Sequence, residues 1–208
     1  MDRLFDFVAE CVTRYGMDES HGLLHAKNTA QWAERLLTAE ENVTPDERRM
    51  AIYAAALHDM CDAKYTDVYQ AGLVIQEWLI GEGWAAHEAA ALIAIIQSTS
   101  YTKLKHGFKV DPQAGPAAYP QHGPWQRAYH IVRHADLLEG YVVRRCMLYT
   151  QHSQPGLPLA AYWAIVKGVF ENRVLRYVSD GWIFLPQALP FAGELDAIAR
   201  QDLEKEIY

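Results

Sequence analysis

Apolar residues recur at helical spacing along most of the chain, and the lapses in that spacing carry residues that end or start helices. From Leu4 to Tyr15 the apolar positions fall three and four apart, and Gly16 follows where a left-handed residue is easily accommodated. Asp18 or Ser20 can cap a second helix through His25, Trp32, Leu36 and Leu37. Thr44-Pro45-Asp46-Glu47 is a strong start, with a capping threonine, proline at the first helical position and acids in the first turn. Its helix runs to His58 and Asp59. Asp67 to Leu79 and Ala85 to Gln97 predict two more helices, separated by Gly81-Glu82-Gly83. The stretch Lys105 to Pro124 is rich in Gly, Pro and Ala and lacks a period, so it predicts a loop long enough for function or disorder.

Beyond the loop, Trp125 to Tyr149 reads as the longest helix, Leu159 to Val178 as another, and Glu194 to Glu206 as a charged, exposed last one. Pro155-Gly156-Leu157-Pro158 and Asp180-Gly181 turn the chain between them. With no internal repeat, low-complexity tract or strand series, the fold class is all-α. At 208 residues and half apolar, the chain can bury one substantial core, so one domain over residues 1–208 is expected.

The net charge of -7 provides no basic footprint, which argues against nucleic acid or an anionic membrane as a main partner. A small anionic substrate stays open, because local Lys and Arg can hold it. Cys11, Cys61 and Cys146 are odd in number and lack metal-type spacing, so they read as reduced thiols of a cytoplasmic protein. The acidic, amphipathic start from Met1 to Val8 does not resemble a secretory leader, and no apolar run approaches the ~20 residues that cross a bilayer.

Candidate chemistry centres on His58-Asp59, where the apolar run Ala54-Ala55-Ala56-Leu57 ends. Neighbouring helix residues point about 100° apart, so the pair holds one cation only if it lies beside the helix and both side chains lean towards it. Further ligands must come from elsewhere. His21 and His25 lie four apart on one face of the second helix, and Asp136 lies amid Ile131, Val132, Ala135, Leu137 and Leu138. An unpaired carboxylate buried on such a face costs several kcal/mol, so Asp136 needs a partner, which a metal would supply. Two imidazoles and two carboxylates suit Mn, Fe, Co, Ni or Zn better than Mg or Ca.

The order His25, His58-Asp59, Asp136 resembles the motif set of the HD-domain metal-dependent phosphohydrolases. Ser20-His21-Gly22-Leu23-Leu24-His25 is similar to that family's first histidine motif, Ala55-Ala56-Leu57-His58-Asp59 to its central one and His134-Ala135-Asp136-Leu137-Leu138-Glu139 to its last. The motifs span about residues 21–141, leaving 159–208 as a C-terminal helical extension. The resemblance implies one divalent metal on His25, His58, Asp59 and Asp136. Two further stretches, Asp59 to Tyr65 and Ser98 to Lys103, resemble elements of small bacterial hydrolases that remove pyrophosphate from nucleoside triphosphates. The family's lysine often follows a glycine directly after the central motif, whereas Cys61 and Asp62 precede Lys64 here.

On this reading a metal-activated water attacks a phosphate ester or anhydride bond of a small substrate, a nucleotide, either as a triphosphate pyrophosphohydrolase or as a monophosphate phosphatase. Asp62 is the candidate to orient or deprotonate that water. Lys64, Lys103 and Arg133 are candidates to neutralise phosphate oxygens, His21 to hydrogen-bond substrate or metal-bound water, and Tyr101 with Trp125 to stack on a base. Each has a plainer reading: Asp62 or His21 as a cap, Lys64 as a solvated surface lysine, Arg133 as a structural ion-pair partner.

Relatives that bind two ions carry two more histidines before the last aspartate, and His87 with His106 keep that option open, although one metal is favoured. A di-iron oxygenase acting on a small phosphonate or polyol and a non-catalytic nucleotide-binding regulator are the alternatives. Specificity is expected from Tyr101 to Trp125 and from Gly181 to Phe191, and Ala160 to Phe170 packs internally or forms a homodimer face.

Overall fold

The computed structural model describes residues 1–207. Among them the regular structure is helical throughout: α1 (Asp2–Tyr15), α2 (Leu23–Thr38), α3 (Pro45–Leu57), α4 (Val68–Gly81), α5 (Ala86–Ser98), α6 (Gln126–Glu139), α7 (Val143–Ser153), α8 (Leu159–Asn172) and α9 (Leu189–Lys205). No helix among the described residues is long and apolar enough to cross a membrane.

Three helices form the centre. α2 packs on α6 and α3, and α3 packs on α6. Small residues permit the close approach: Ala26, Ala30 and Ala33 on α2, and Ala51, Ala54, Ala55 and Ala56 on α3, are all buried. The start of α3 is tied to α6 through its cap. Thr44 Oγ1 accepts from the Glu47 backbone N–H at 3.1 Å, Glu47 Oε2 accepts from the Thr44 N–H, and Arg127 of α6 donates from Nε to Glu47 Oε1 at 3.1 Å. Around this centre α1 packs on α2 and α3, α4 pairs with α5, and α7 packs on α8 and α9.

The helix expected from Trp125 to Tyr149 is two. α6 ends at Gly140, the chain extends at Val142, and α7 starts afresh. Apolar spacing runs on through Leu138, Tyr141, Val143 and Met147, which masks the break in the sequence. Gly140 is needed there because a Cβ would lie 2.9 Å from Leu137 O and 3.4 Å from the Tyr177 ring. The helix expected to reach Val178 stops at Asn172 and resumes as a short 3-10 turn over Val174–Arg176. The last helix begins earlier than expected, at Leu189, with Pro190 tolerated in its first turn.

Residues 105–124 are ordered into a run of short turns and cover the core. Tyr119 is buried there, with its ring edge-on to His130 and tilted against Phe184. The segment Trp182 to Leu185 closes the same face. His134 Nδ1–H donates to the His130 carbonyl at 2.7 Å, and its Nε2 accepts from the backbone N–H of Phe184 at 3.0 Å. In α8 the buried side chains Tyr162, Trp163, Val166 and Phe170 turn inward, so this stripe packs internally.

The neutral histidines of this face make stability acid-sensitive. Burial, then the charges of Arg133 and His122, push His130 down to about 3, whereas the unfolded chain titrates near 6.5. A folded-state value below the unfolded one contributes stability that is present above pH ~6.5 and is lost as pH falls towards about 3. We expect this one group to cost about 2 kcal/mol between pH 7 and pH 5. Urea titrations at both pH values should therefore show a loss for the native chain that exceeds the loss for His130→Gln by roughly that amount. Equal losses in the two proteins would contradict this account.

Candidate metal centre and its cavity

The central helices deliver one donor set. His25 lies in the first turn of α2, His58 caps the C-terminus of α3, Asp59 follows in the ensuing turn, and Asp136 lies near the end of α6. His25 Nε2 is 3.2 Å from His58 Nε2, 3.2 Å from Asp59 Oδ2 and 3.7 Å from Asp136 Oδ1. His58 Nε2 is 3.3 Å from Asp59 Oδ2 and 3.5 Å from Asp136 Oδ1. Bonds of about 2.0–2.2 Å to a common cation place neighbouring donors roughly 3.0–3.6 Å apart, so these separations match a shared ion.

The surrounding bonds aim the lone pairs inward. His58 Nδ1–H donates to the Ala55 carbonyl at 2.8 Å, which leaves Nε2 as the nitrogen facing the centre. Asp59 Oδ2 is buried without a hydrogen-bond partner. The charges report the same frustration. Burial alone would lower His58, but the carboxylates of Asp59 and Asp136 outweigh it and hold the imidazole well above its ordinary range. Burial and then the Arg145 charge push His25 down to about 3. Asp59 and Asp136 are held well below the usual carboxylate range despite burial, chiefly by His58. A single proton on one imidazole can satisfy only part of this set, whereas a divalent cation satisfies all four donors. The His25, His58 and Asp136 cluster can thus hold a metal ion, with Asp59 in reach of both imidazoles.

The centre opens into a cavity of about 300 Å³. His58, Asp59 and Asp136 form part of its wall, together with His21, Asp62, Lys64, Tyr101 and Lys103. Asp62 serves as a cap as well, since its Oδ1 accepts from the Lys64 N–H at 3.0 Å. Lys64 is half exposed, pairs with Asp62 at 3.5 Å and lies over the Tyr149 ring. Tyr101 lies under the Arg173 guanidinium, 4.1 Å from the ring centre.

Arg133 is brought elsewhere. Three residues along an α-helix leave side chains about 60° apart about the axis, and its guanidinium leans away from the cavity. It stacks on Tyr119 at 4.0 Å and donates to the Trp182 carbonyl at 3.3 Å. It is therefore a buried strut between α6 and the C-terminal segment. Trp125, Gly181 to Phe191 and residues 105–124 contribute nothing to the cavity wall, which takes only Tyr101 to Lys103 from the expected specificity loop. His87 and His106 are exposed and do not line it either.

Sequence reasoning missed the two arginines that do reach the cavity. Arg145 stands 3.8 Å from Asp136 Oδ1 and 4.0 Å from Asp59 Oδ2, and its Nε donates to the Ser20 carbonyl at 2.7 Å. Arg173 lines the same cavity from the end of α8. The only available signal was the Arg144-Arg145 pair on what read as one long helix, where the break at Gly140 that re-aims it was not visible.

The fold and centre define an all-α bundle whose core helices can hold a metal ion. No protein-family model matches the chain, and no curated protein does. Two solved structures share its fold across nearly the whole length. YpgQ of Bacillus subtilis, solved in complex with ADP, has a TM-score of 0.66 at 18% identity and covers 98% of this chain and 94% of its own. A protein from Lactobacillus plantarum has a TM-score of 0.68 at 17% identity, covering 97% and 92%.

Binding to the native state alone stabilises it, by about 2.7 kcal/mol at a hundredfold excess over Kd. Adding Mn or Zn to metal-stripped protein should raise the thermal midpoint by several degrees, and Asp136→Ala should abolish the rise. An equal rise in the variant would place the metal elsewhere.

Proposed function

We propose that this chain is an HD-type metal-dependent phosphohydrolase of one domain, acting in the cytoplasm on a small phosphorylated substrate, a nucleotide. The observation that carries the reading is the convergence of His25, His58, Asp59 and Asp136 at a cavity whose wall also holds Arg145, Arg173, Lys64 and Lys103. Four cationic side chains around one cavity, in a chain of net charge -7, favour an anionic ligand against the overall field. The complex of YpgQ with ADP supports a nucleotide in the same fold.

A divalent transition metal held by these four residues would polarise phosphorus and lower the pKa of a bound water. The chain's own groups divide the remaining work. Arg145, less than 4 Å from Asp136 and with its Nε already committed to Ser20, presents its terminal nitrogens towards the centre and holds a phosphate oxygen there. Arg173 and Lys103 neutralise the rest of the phosphate chain. Asp62 accepts a hydrogen bond from the attacking water, and Tyr101 and Tyr149 offer ring surface for the remainder of the substrate. The surface positions of His87 and His106 remove the observation that the di-iron reading required. We assign no turnover-free regulatory role, since every donor position of the centre is filled.

The test is incubation of the metal-loaded protein with nucleoside mono-, di- and triphosphates. We expect release of phosphate or pyrophosphate that falls more than about a hundredfold in Asp59→Ala. Arg145→Ala should raise KM or lower kcat by about tenfold or more, the worth of one hydrogen bond to a charged group. Absence of hydrolysis across the panel, with metal bound, would reject the proposal.

A further inference from the structure

Asp18 lies outside the donor set, on the short turn between α1 and α2, yet four polar groups meet its carboxylate. Oδ1 accepts from the Ser20 backbone N–H at 2.8 Å and from the Ser20 hydroxyl. Oδ2 accepts from the Tyr65 hydroxyl and lies 3.4 Å from His21 Nδ1. A simple cap for Glu19–His21 needs only the first of these bonds. Tyr65 arrives from the turn that follows His58-Asp59, so the carboxylate also latches that turn to the first histidine motif.

The hydroxyl hydrogens decide the state of His21. His21 Nδ1 is 2.8 Å from Ser20 Oγ and 3.0 Å from the Tyr65 hydroxyl oxygen. Each hydroxyl has a single hydrogen, and both are spent on Asp18. What remains on each oxygen is lone pairs, so both can only accept, as Asp18 Oδ2 does. Three acceptors around Nδ1 require that it carry the proton. In a ring that carries one proton Nε2, at the other edge, is then the nitrogen left to accept, and His21 lines the cavity with its ring centre 6.3 Å from that of His25. Asp18 is suited to this, being held well below the usual carboxylate range: burial would raise it, but the bonds from His21, Ser20 and Tyr65 prevail.

We propose that Asp18 is a positioning residue that acts through His21: it draws the hydroxyl hydrogens of Ser20 and Tyr65, fixes the Nδ1–H tautomer and turns the Nε2 lone pair to the cavity. There Nε2 accepts a hydrogen bond from the attacking water. The catalytic consequence rests on the phosphohydrolase reading, whereas the tautomer itself does not. His21 is thereby the second acceptor for that water besides Asp62, and the turn carrying Tyr65 couples its aim to the position of Asp59.

Asp18→Asn keeps the cap and the shape but places an N–H donor where the carboxylate accepted, which turns Nδ1 into an acceptor. Nitrogen-15 NMR of the zinc-loaded protein at about pH 8, with the ring assigned through His21→Gln, reads the tautomer directly. The native protein should show a pyridine-type Nε2, and Asp18→Asn should show it at Nδ1. On whichever nucleotide is cleaved, kcat should fall about tenfold to a hundredfold with KM within about threefold. Tyr65→Phe, which removes one acceptor and leaves the carboxylate, should shift the tautomer balance part of the way and serves if Asp18→Asn does not fold. A native Nε2–H tautomer, or an unchanged tautomer in the variants, overturns the proposal. Absence of hydrolysis with the expected tautomers would instead remove the phosphohydrolase reading and leave the hydrogen-bond assignment standing.

Discussion

Four electron-rich atoms held within 3.2–3.7 Å of His25 Nε2 or His58 Nε2, inside a protein, are a constraint that the rest of the molecule must meet. Two buried imidazoles face each other through their Nε2 atoms, two carboxylates close the ring, and Asp59 Oδ2 is buried without a hydrogen-bond partner. Desolvating such a set is costly unless a positive charge enters it. The packing keeps the set together regardless. Alanines let α2, α3 and α6 approach closely, and the capping box at Thr44 and Glu47 is bolted to α6 by Arg127. The helices that carry the donors are therefore the ones that form the core, and a strained centre is preserved by apolar packing elsewhere.

The second layer is arranged around direction. Ala55 O fixes His58, Asp18 with its two hydroxyls fixes His21, and Ser20 O fixes Arg145. These three anchors are carbonyls or carboxylates at helix ends and turns, where backbone acceptors are free of helical partners. On the far side, Arg133, His130 and His134 hold the C-terminal segment with the same chemistry and no opening. On one face of α6 Asp136 thus opens onto the cavity, whereas on the other Arg133, His130 and His134 are closed over by the C-terminal segment.

That distinction explains what was legible. The all-α class followed from helical spacing, and the start of α3 and the end of α1 followed from Thr44-Pro45 and Gly16, because caps are local. The donor set could be named from motif order, and the structure brings His25, His58, Asp59 and Asp136 together. Arg133 was misplaced because its spacing from Asp136 was legible while the segment at Trp182 that captures it was not. Arg145 was missed for the complementary reason, because its aim depends on the break at Gly140 between α6 and α7, and Arg173 because the helix expected to reach Val178 stops at Asn172, just before it. Asp18 was read as a cap of the second helix, but it caps the short turn Glu19–His21 ahead of it, α2 starting after Gly22, and the arrival of Tyr65 is a tertiary event.

The central claim is that these four side chains hold one divalent ion in common. Metal analysis of the purified protein, combined with X-ray absorption at the edge of the bound element, tests it most directly. The account predicts about one metal per chain with a mixed imidazole and carboxylate shell that is lost in His25→Ala. Two metals per chain, or a sulfur shell drawn from the cysteines, would contradict it.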